Sequence, residues 1–216
     1  ARGNANSVGE HALGMLLSLF HNITNSAFEL KKNIWRREEN RGIELEKKTI
    51  GIIGYGNTGQ AFAEKLMGFN CKILIYDKYK SKFKNLMIEE SNMENIYSNC
   101  DIISLHVPLN TETRHLFNNE FIRKMKKPFY IINTSRGEVI ANNDLVNGLK
   151  GKKILGACLD VIENENFQFS RINIDKNFNY LVNCKNVILT PHIAGLSQQS
   201  NKKLSQILIH KIITLK

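Results

Sequence analysis

Arg136, Glu165 and His192 have the residue types and the settings from which carbonyl and proton chemistry can be built. Arg136 lies in Asn133-Thr134-Ser135-Arg136-Gly137, just past an apolar run. Its planar guanidinium can grip a carboxylate with two hydrogen bonds and polarise the carbonyl beside it. His192 lies in Thr190-Pro191-His192-Ile193-Ala194-Gly195, also past an apolar run. An imidazole titrates close enough to neutrality to give a proton to a carbonyl oxygen or take one back. A carboxylate against that ring would orient it and favour its protonated form. The segment Asp160-Val161-Ile162-Glu163-Asn164-Glu165 offers two such carboxylates; Glu165 is preferred and Glu163 stays open. Taken singly, an arginine after a strand is more often a surface ion pair, and a histidine before a helix more often a cap.

A hydride donor completes such chemistry, and the sequence holds a place for one. Ile50-Gly51-Ile52-Ile53-Gly54-Tyr55-Gly56-Asn57-Thr58-Gly59 is an apolar run entering a G-x-G-x-x-G turn that opens a helical stretch. Gly54 permits the tight turn, Gly56 lets backbone approach a pyrophosphate, and Gly59 lets the helix sit against the strand. The start of that helix, at Asn57 and Thr58, presents free N–H groups and the positive end of its dipole. Asp77 ends the next apolar run, placed to accept from the ribose hydroxyls of an adenosine and to repel a 2′-phosphate. NAD is therefore the expected cofactor, with Lys78 beside the acid bearing on how strictly NADP is refused.

These residues need a scaffold of buried parallel strands. Short apolar runs without polar alternation predict strands at Thr49–Ile53, Lys72–Tyr76, Asp101–His106, Phe129–Asn133, Ile154–Leu159 and Val187–Thr190. Helices are expected at Thr58–Gly68, Met93–Ser98, Asn119–Met125 and Asn142–Leu149. The fold class is α/β, a doubly wound parallel sheet of the Rossmann type with flanking helices. Ahead of it, Ser7-Val8-Gly9-Glu10 has a capping-box pattern and Leu13, Leu16, Leu17 and Phe20 recur at helical spacing, so one helix is expected to run toward the polar stretch at Lys31 to Arg41. Glu163 to Asn183 shows no period and reads as an irregular excursion. Leu204, Ile207, Leu208 and Ile212 fall on one face of a closing helix.

His106-Val107-Pro108, at the end of an apolar run, together with the segments of Arg136, Glu165 and His192 and their order, resemble the D-isomer-specific 2-hydroxyacid dehydrogenase family, over nearly the whole chain from Val8-Gly9-Glu10-His11 onward. The resemblance implies hydride transfer between NAD and a D-2-hydroxy acid, with D-3-phosphoglycerate the expected substrate and serine synthesis the expected setting. It assigns catalysis to Arg136, Glu165 and His192. It also implies that Val107 and Pro108 pack on the adenine side, with Thr113 a weaker contact. Thr134, Ser135 and Arg136 would line the nicotinamide ribose, and Asp160 would hold the carboxamide, with His192 and Gly195 closing that end. Asn166 departs from the pattern, standing where a proline commonly follows the glutamate. The implied organisation is an interdomain helix and connection over 1–41, an NAD-binding domain over 42–195 and a return helix over 196–216, with most of a second, substrate-gripping domain missing. Family members pair through their cofactor domains, so a homodimer is expected. A relative that uses bound NAD to control assembly with a partner protein is the competing reading, and retention of the three catalytic residues argues against it.

Composition narrows the partners. The net charge of +10 comes from lysines spread in short groups, such as Lys78/Lys80/Lys82/Lys84 and Lys150/Lys152/Lys153, which reads as a solvated surface and not a nucleic-acid face. The longest strongly apolar stretch, Ala12 to Phe20, is too short to cross a bilayer, so no membrane partner is expected. Cys71, Cys100, Cys158 and Cys184 form no C-x-x-C and read as reduced, buried thiols that suit a cytoplasm. His11, His21, His115 and His210 have no paired ligand spacing and take the bland reading of structural histidines; no metal is expected.

Overall fold

The computed structural model describes residues 2–81, 88–163, 165 and 175–214. Its strands are β1 (Thr49–Ile53), β2 (Lys72–Tyr76), β3 (Ile88–Glu90), β4 (Ile102–Leu105), β5 (Phe129–Asn133), β6 (Ile154–Leu159) and β7 (Val187–Leu189). They form one seven-stranded sheet in the order β3-β2-β1-β4-β5-β6-β7, and every pairing is parallel. The helices are α1 (Ala5–Phe20), α2 (Ile23–Leu30), α3 (Asn57–Leu66), α4 (Met93–Asn99), α5 (Asn119–Lys124), α6 (Asn142–Lys150), α7 (Lys176–Asn183) and α8 (Gln198–Thr214). Strand order runs outward in one direction from β1 and in the other from β4, so a crevice opens where the ends of these two neighbours diverge.

Both sheet faces are covered, which is why the strands are apolar throughout. On one face Ile53, Leu74, Ile103, Leu105 and Ile131 pack with Phe117, Phe121 and Leu145. On the other, Ile50, Ile52, Ile73, Ile75 and Ile132 pack with Phe62 and Leu66 of α3 and with Ala12, Leu16 and Phe20 of α1. Each fully buried phenylalanine contributes roughly 1.5–3 kcal/mol over its exposed state. Helix α1 comes so close to α3 that a Cβ on Gly9 would stand 2.8 Å from the Ala61 carbonyl carbon. Its apolar surface is thus absorbed by the sheet layer.

Several local expectations are corrected. Helix α1 starts at Ala5 after Asn4, so Ser7 is inside it and caps nothing; its hydroxyl donates instead to the Ala194 carbonyl at 2.7 Å. The same helix stops at Phe20, where Asn22 takes a left-handed conformation (φ 51°) and α2 begins afresh. Strand β3 lies beyond the expected set, as does α7, which occupies the end of the supposed excursion and starts with Asp175 accepting from Phe178 N at 2.7 Å. Helix α8 forms, but Leu208 and Ile212 are exposed on it. All four cysteines are free; Cys100 and Cys158 are buried, whereas Cys71 and Cys184 are only half-buried.

Candidate active site

At the end of β1 the chain turns at Gly54 with φ +92°, and a Cβ there would lie 2.6 Å from the His106 carbonyl oxygen. Gly59 is as tightly placed: its Cβ would stand 2.2 Å from the Gly54 oxygen, so α3 can approach β1 only with glycine here. Gly56 faces open space, and the first turn of α3, at Asn57 and Thr58, carries no side-chain cap. Its uncapped N–H groups and the room above Gly56 fit a dinucleotide pyrophosphate. Asp77, at the end of β2, accepts Tyr55 N at 2.7 Å on one oxygen, and Tyr79 N at 2.9 Å and Lys80 N at 3.0 Å on the other. The acid therefore pins the glycine turn while facing the same crevice. Lys78 is turned away into an exposed pair with Glu112 at 2.8 Å, an oxygen partner that raises the lysine's pKa, and Tyr79 donates to the same carboxylate at 2.6 Å.

Across the crevice, β4 ends in His106, Val107 and Pro108. Val107 packs on the core, and Thr113 donates to the Pro108 carbonyl at 2.5 Å, closing an exposed turn. His106 bonds Ser104 Oγ at 2.9 Å, and burial pushes its pKa down to about 4, so it is neutral beneath the glycine turn.

The adjacent strand ends of β5, β6 and β7 carry the remaining residues. After β5, buried Asn133 accepts from Ser135 N and Oγ at 3.0 and 2.7 Å and donates to the Arg136 carbonyl at 2.9 Å. This ring of bonds fixes the turn that exposes Arg136, whose guanidinium rests on the Ser135 carbonyl at 2.6 Å. Thr134 Oγ1 is buried without a partner among the described residues. After β7, His192 holds a left-handed conformation (φ 54°), a strained state for a side-chain-bearing residue. It is kept there because His192 N donates to the Asp160 carbonyl at 2.8 Å. The Asp160 side chain accepts Ile193 N at 2.9 Å on one oxygen and Ala194 N at 2.8 Å on the other. Asp160 is only 1% exposed and in the described contacts works as the anchor of this turn. Gly195 follows, against Asn4.

The two acidic candidates separate cleanly. Glu165 Oε1 lies 2.9 Å from His192 Nδ1. Glu163 lies 2.6 Å from His115 Nε2 and also accepts Asn142 N at 3.1 Å. Burial raises the Glu165 pKa, His192 pulls it down, and the charges of Glu138 and Asp160 add to the rise. A half-buried carboxylate against one imidazole nitrogen leaves the other nitrogen to exchange a proton with a ligand. Sequence reasoning missed one neighbour: His11 reaches this turn from α1, bonding Thr190 Oγ1 at 2.9 Å. Its spacing of four from Ser7 and from Met15 was the available signal. Among the described residues no group of His, Cys, Asp or Glu is arranged to hold a metal ion.

A parallel sheet with a glycine turn and an acid after β2 has the build of a dinucleotide-binding domain, and an acid–imidazole pair stands after β6 and β7. The sequence matches the D-isomer-specific 2-hydroxyacid dehydrogenase NAD-binding domain over residues 13–194, and the chain belongs to that family, with NAD as its cofactor. It is 35% identical to a hydroxypyruvate reductase of Thermotoga maritima, covering 97% of this chain and 66% of the relative. A D-3-phosphoglycerate dehydrogenase of Methanocaldococcus jannaschii is 34% identical over 95% of this chain and 38% of the relative. Among solved structures, D-lactate dehydrogenase from Aquifex aeolicus complexed with NAD and lactic acid superposes with a TM-score of 0.85 at 31% identity, over 98% of this chain and 66% of that one. The chain thus spans no more than about two thirds of these relatives' length. No helix among the described residues is long and apolar enough to cross a membrane.

Proposed function

We propose that the protein carrying this chain reduces a small 2-oxo acid, or oxidises the corresponding D-2-hydroxy acid, with His192 as the proton-transferring residue, Glu165 as its partner and Arg136 as the carboxylate anchor. The observation that carries the reading is the 2.9 Å contact between Glu165 and His192 at the strand ends beside Arg136. Bound NAD supplies or accepts the hydride. Arg136 leaves the Ser135 carbonyl to take the substrate carboxylate, exchanging a neutral acceptor for a charged one. Thr134 and Ser135 border the nicotinamide ribose, Asp160 bears on the carboxamide through the turn it holds, and Val107, Pro108 and Thr113 flank the adenine. Asp77, with Lys78 engaged by Glu112, favours NAD over NADP.

D-3-phosphoglycerate has no advantage as substrate over hydroxypyruvate or D-lactate, since relatives named for each match at 34%, 35% and 31% identity. All belong in one assay panel. The free thiols suit a reducing compartment such as the cytoplasm, and a homodimer is the proposed assembly. His192→Gln tests the reading: turnover is expected to fall at least a thousandfold while NADH affinity, read by nicotinamide fluorescence, holds within about threefold. Turnover that survives the substitution would mean that another group transfers the proton, whereas a parent protein that binds NADH, turns over none of the panel and keeps its function in the variant would transfer the case to a module that binds NAD to control a partner.

A further inference from the structure

We infer that His11, on helix α1, is a positioning residue for proton transfer, acting through a hydrogen-bond relay on the turn that carries His192. The inference rests on the proposed role of His192. It begins with the polarity of the relay, which chemistry fixes. Thr190 Oγ1 stands 2.6 Å from Asp160 Oδ1, and an ionised carboxylate can only accept, so the hydroxyl proton points to the acid. The Thr190 oxygen then accepts from His11 Nε2 at 2.9 Å, so His11 carries a proton on Nε2. The same Asp160 oxygen takes Ile193 N at 2.9 Å, its other oxygen takes Ala194 N at 2.8 Å, and its main-chain carbonyl takes His192 N at 2.8 Å. His11 Nε2 itself comes within 3.5 Å of the acid. One buried carboxylate thus gathers the residues around His192, and His11 supplies the outermost donor.

The helix is built for this contact. Ser7, His11 and Met15 recur every four residues and share one face of α1, and all three meet the same turn. Ser7 donates to the Ala194 carbonyl at 2.7 Å, and Thr190 Oγ1 lies 3.8 Å from Met15 Sδ. Gly9 and the buried residues between hold α1 against α3, so the face is presented from a rigid support. His192 needs that support because its backbone is strained and its ring must stay within reach of Glu165. The charge of Asp160 also raises the Glu165 pKa, so displacement of the acid is felt at the pair.

The test is a double-mutant cycle in the intact protein. His11→Leu is expected to lower kcat about tenfold with NADH affinity unchanged. Thr190→Val, which cuts the next link, should give a similar loss, and the double variant little more than either. His11→Gln restores an N–H donor of similar reach and should recover most of the activity, which a change in helix packing alone would not allow. Full kcat in both single variants, additive losses in the double, or no recovery by glutamine would each overturn the inference. If His11→Leu fails to fold, Thr190→Val and His11→Gln still decide it. His192→Gln, run alongside, separates the two readings: if it leaves turnover intact the acid–base assignment itself fails, whereas its inactivity beside neutral His11 and Thr190 variants sinks only the relay.

Discussion

At the scale of single residues, the site sets stability against chemistry at Glu165. Burial raises its pKa, so folding disfavours the charged form. The unfolded chain releases this proton first as pH rises; the folded chain holds it longer. Stability therefore falls through the range just above the ordinary glutamate value and levels off once Glu165 ionises in the folded state. Glu165→Gln removes the charge and should melt at a higher temperature than the parent at pH 7–8, with the difference vanishing near pH 4. The same variant should lose about a hundredfold in kcat, since an amide cannot favour the imidazolium. A flat difference in melting temperature across pH would contradict the burial argument. The sequence exposed the types of these residues and favoured Glu165 without excluding Glu163. Two positions apart on an irregular segment, they point to different histidines only because His115 and Asn142 claim Glu163. His11 was illegible for a related reason, since its partners Thr190 and Asp160 lie far along the chain and meet it only through the packing of α1.

At the scale of elements, the decisive junction is where α3 leaves β1. A methyl on Gly59 would collide with the Gly54 carbonyl, a backbone atom with no rotamer to escape into. Gly59→Ala should therefore push the start of α3 off the strand, costing about 1–3 kcal/mol in urea denaturation. NADH binding should weaken at least tenfold, because the N–H groups that meet the pyrophosphate move with the helix. Unchanged affinity would mean that the cofactor does not rest on this turn. The elements legible in sequence were the nearly unbroken five-residue apolar strands such as β1, β2 and β5 and the helical stretches between them such as α6. Those that escaped were short or weakly coded. Strand β3 is Ile-Glu-Glu, with one buried side chain and a place at the sheet edge, too little pattern to see. Helix α7, Lys-Asn-Phe-Asn-Tyr-Leu-Val-Asn, is rich in residues of low helical propensity. It forms because Asp175 caps it and because Leu181 is buried in the core.

At the scale of the whole molecule, the question is which apolar surface a second copy would cover. Helix α1 does not supply it, because it spends its apolar face on α3 and the sheet. What remains open is the segment after it. Ile23, Phe28 and Leu30 of α2 and Trp35 beyond are more than half exposed, Trp35 at 81%. Phe28 lines a groove of about 690 Å³ with Ile34, Val182 and strand β7 at the sheet edge, and Leu30 and Trp35 border a smaller one of about 200 Å³ with Ile34. Large apolar side chains beside a sheet edge are costly to leave in water and fit a self-complementary interface. Trp35 is the only tryptophan of the chain, so its fluorescence reports on this patch alone. Its emission should shift to the blue as protein concentration rises through the dimerisation range. Trp35→Asp should leave a monomer in sedimentation equilibrium with NADH affinity retained, because the patch lies away from the glycine turn. Helix α8 provides the control, since it exposes Leu208, Ile209, Ile212 and Ile213 on a separate surface. A dimer that survives Trp35→Asp but dissociates on Ile212→Asp would move the interface from the α2 segment to α8.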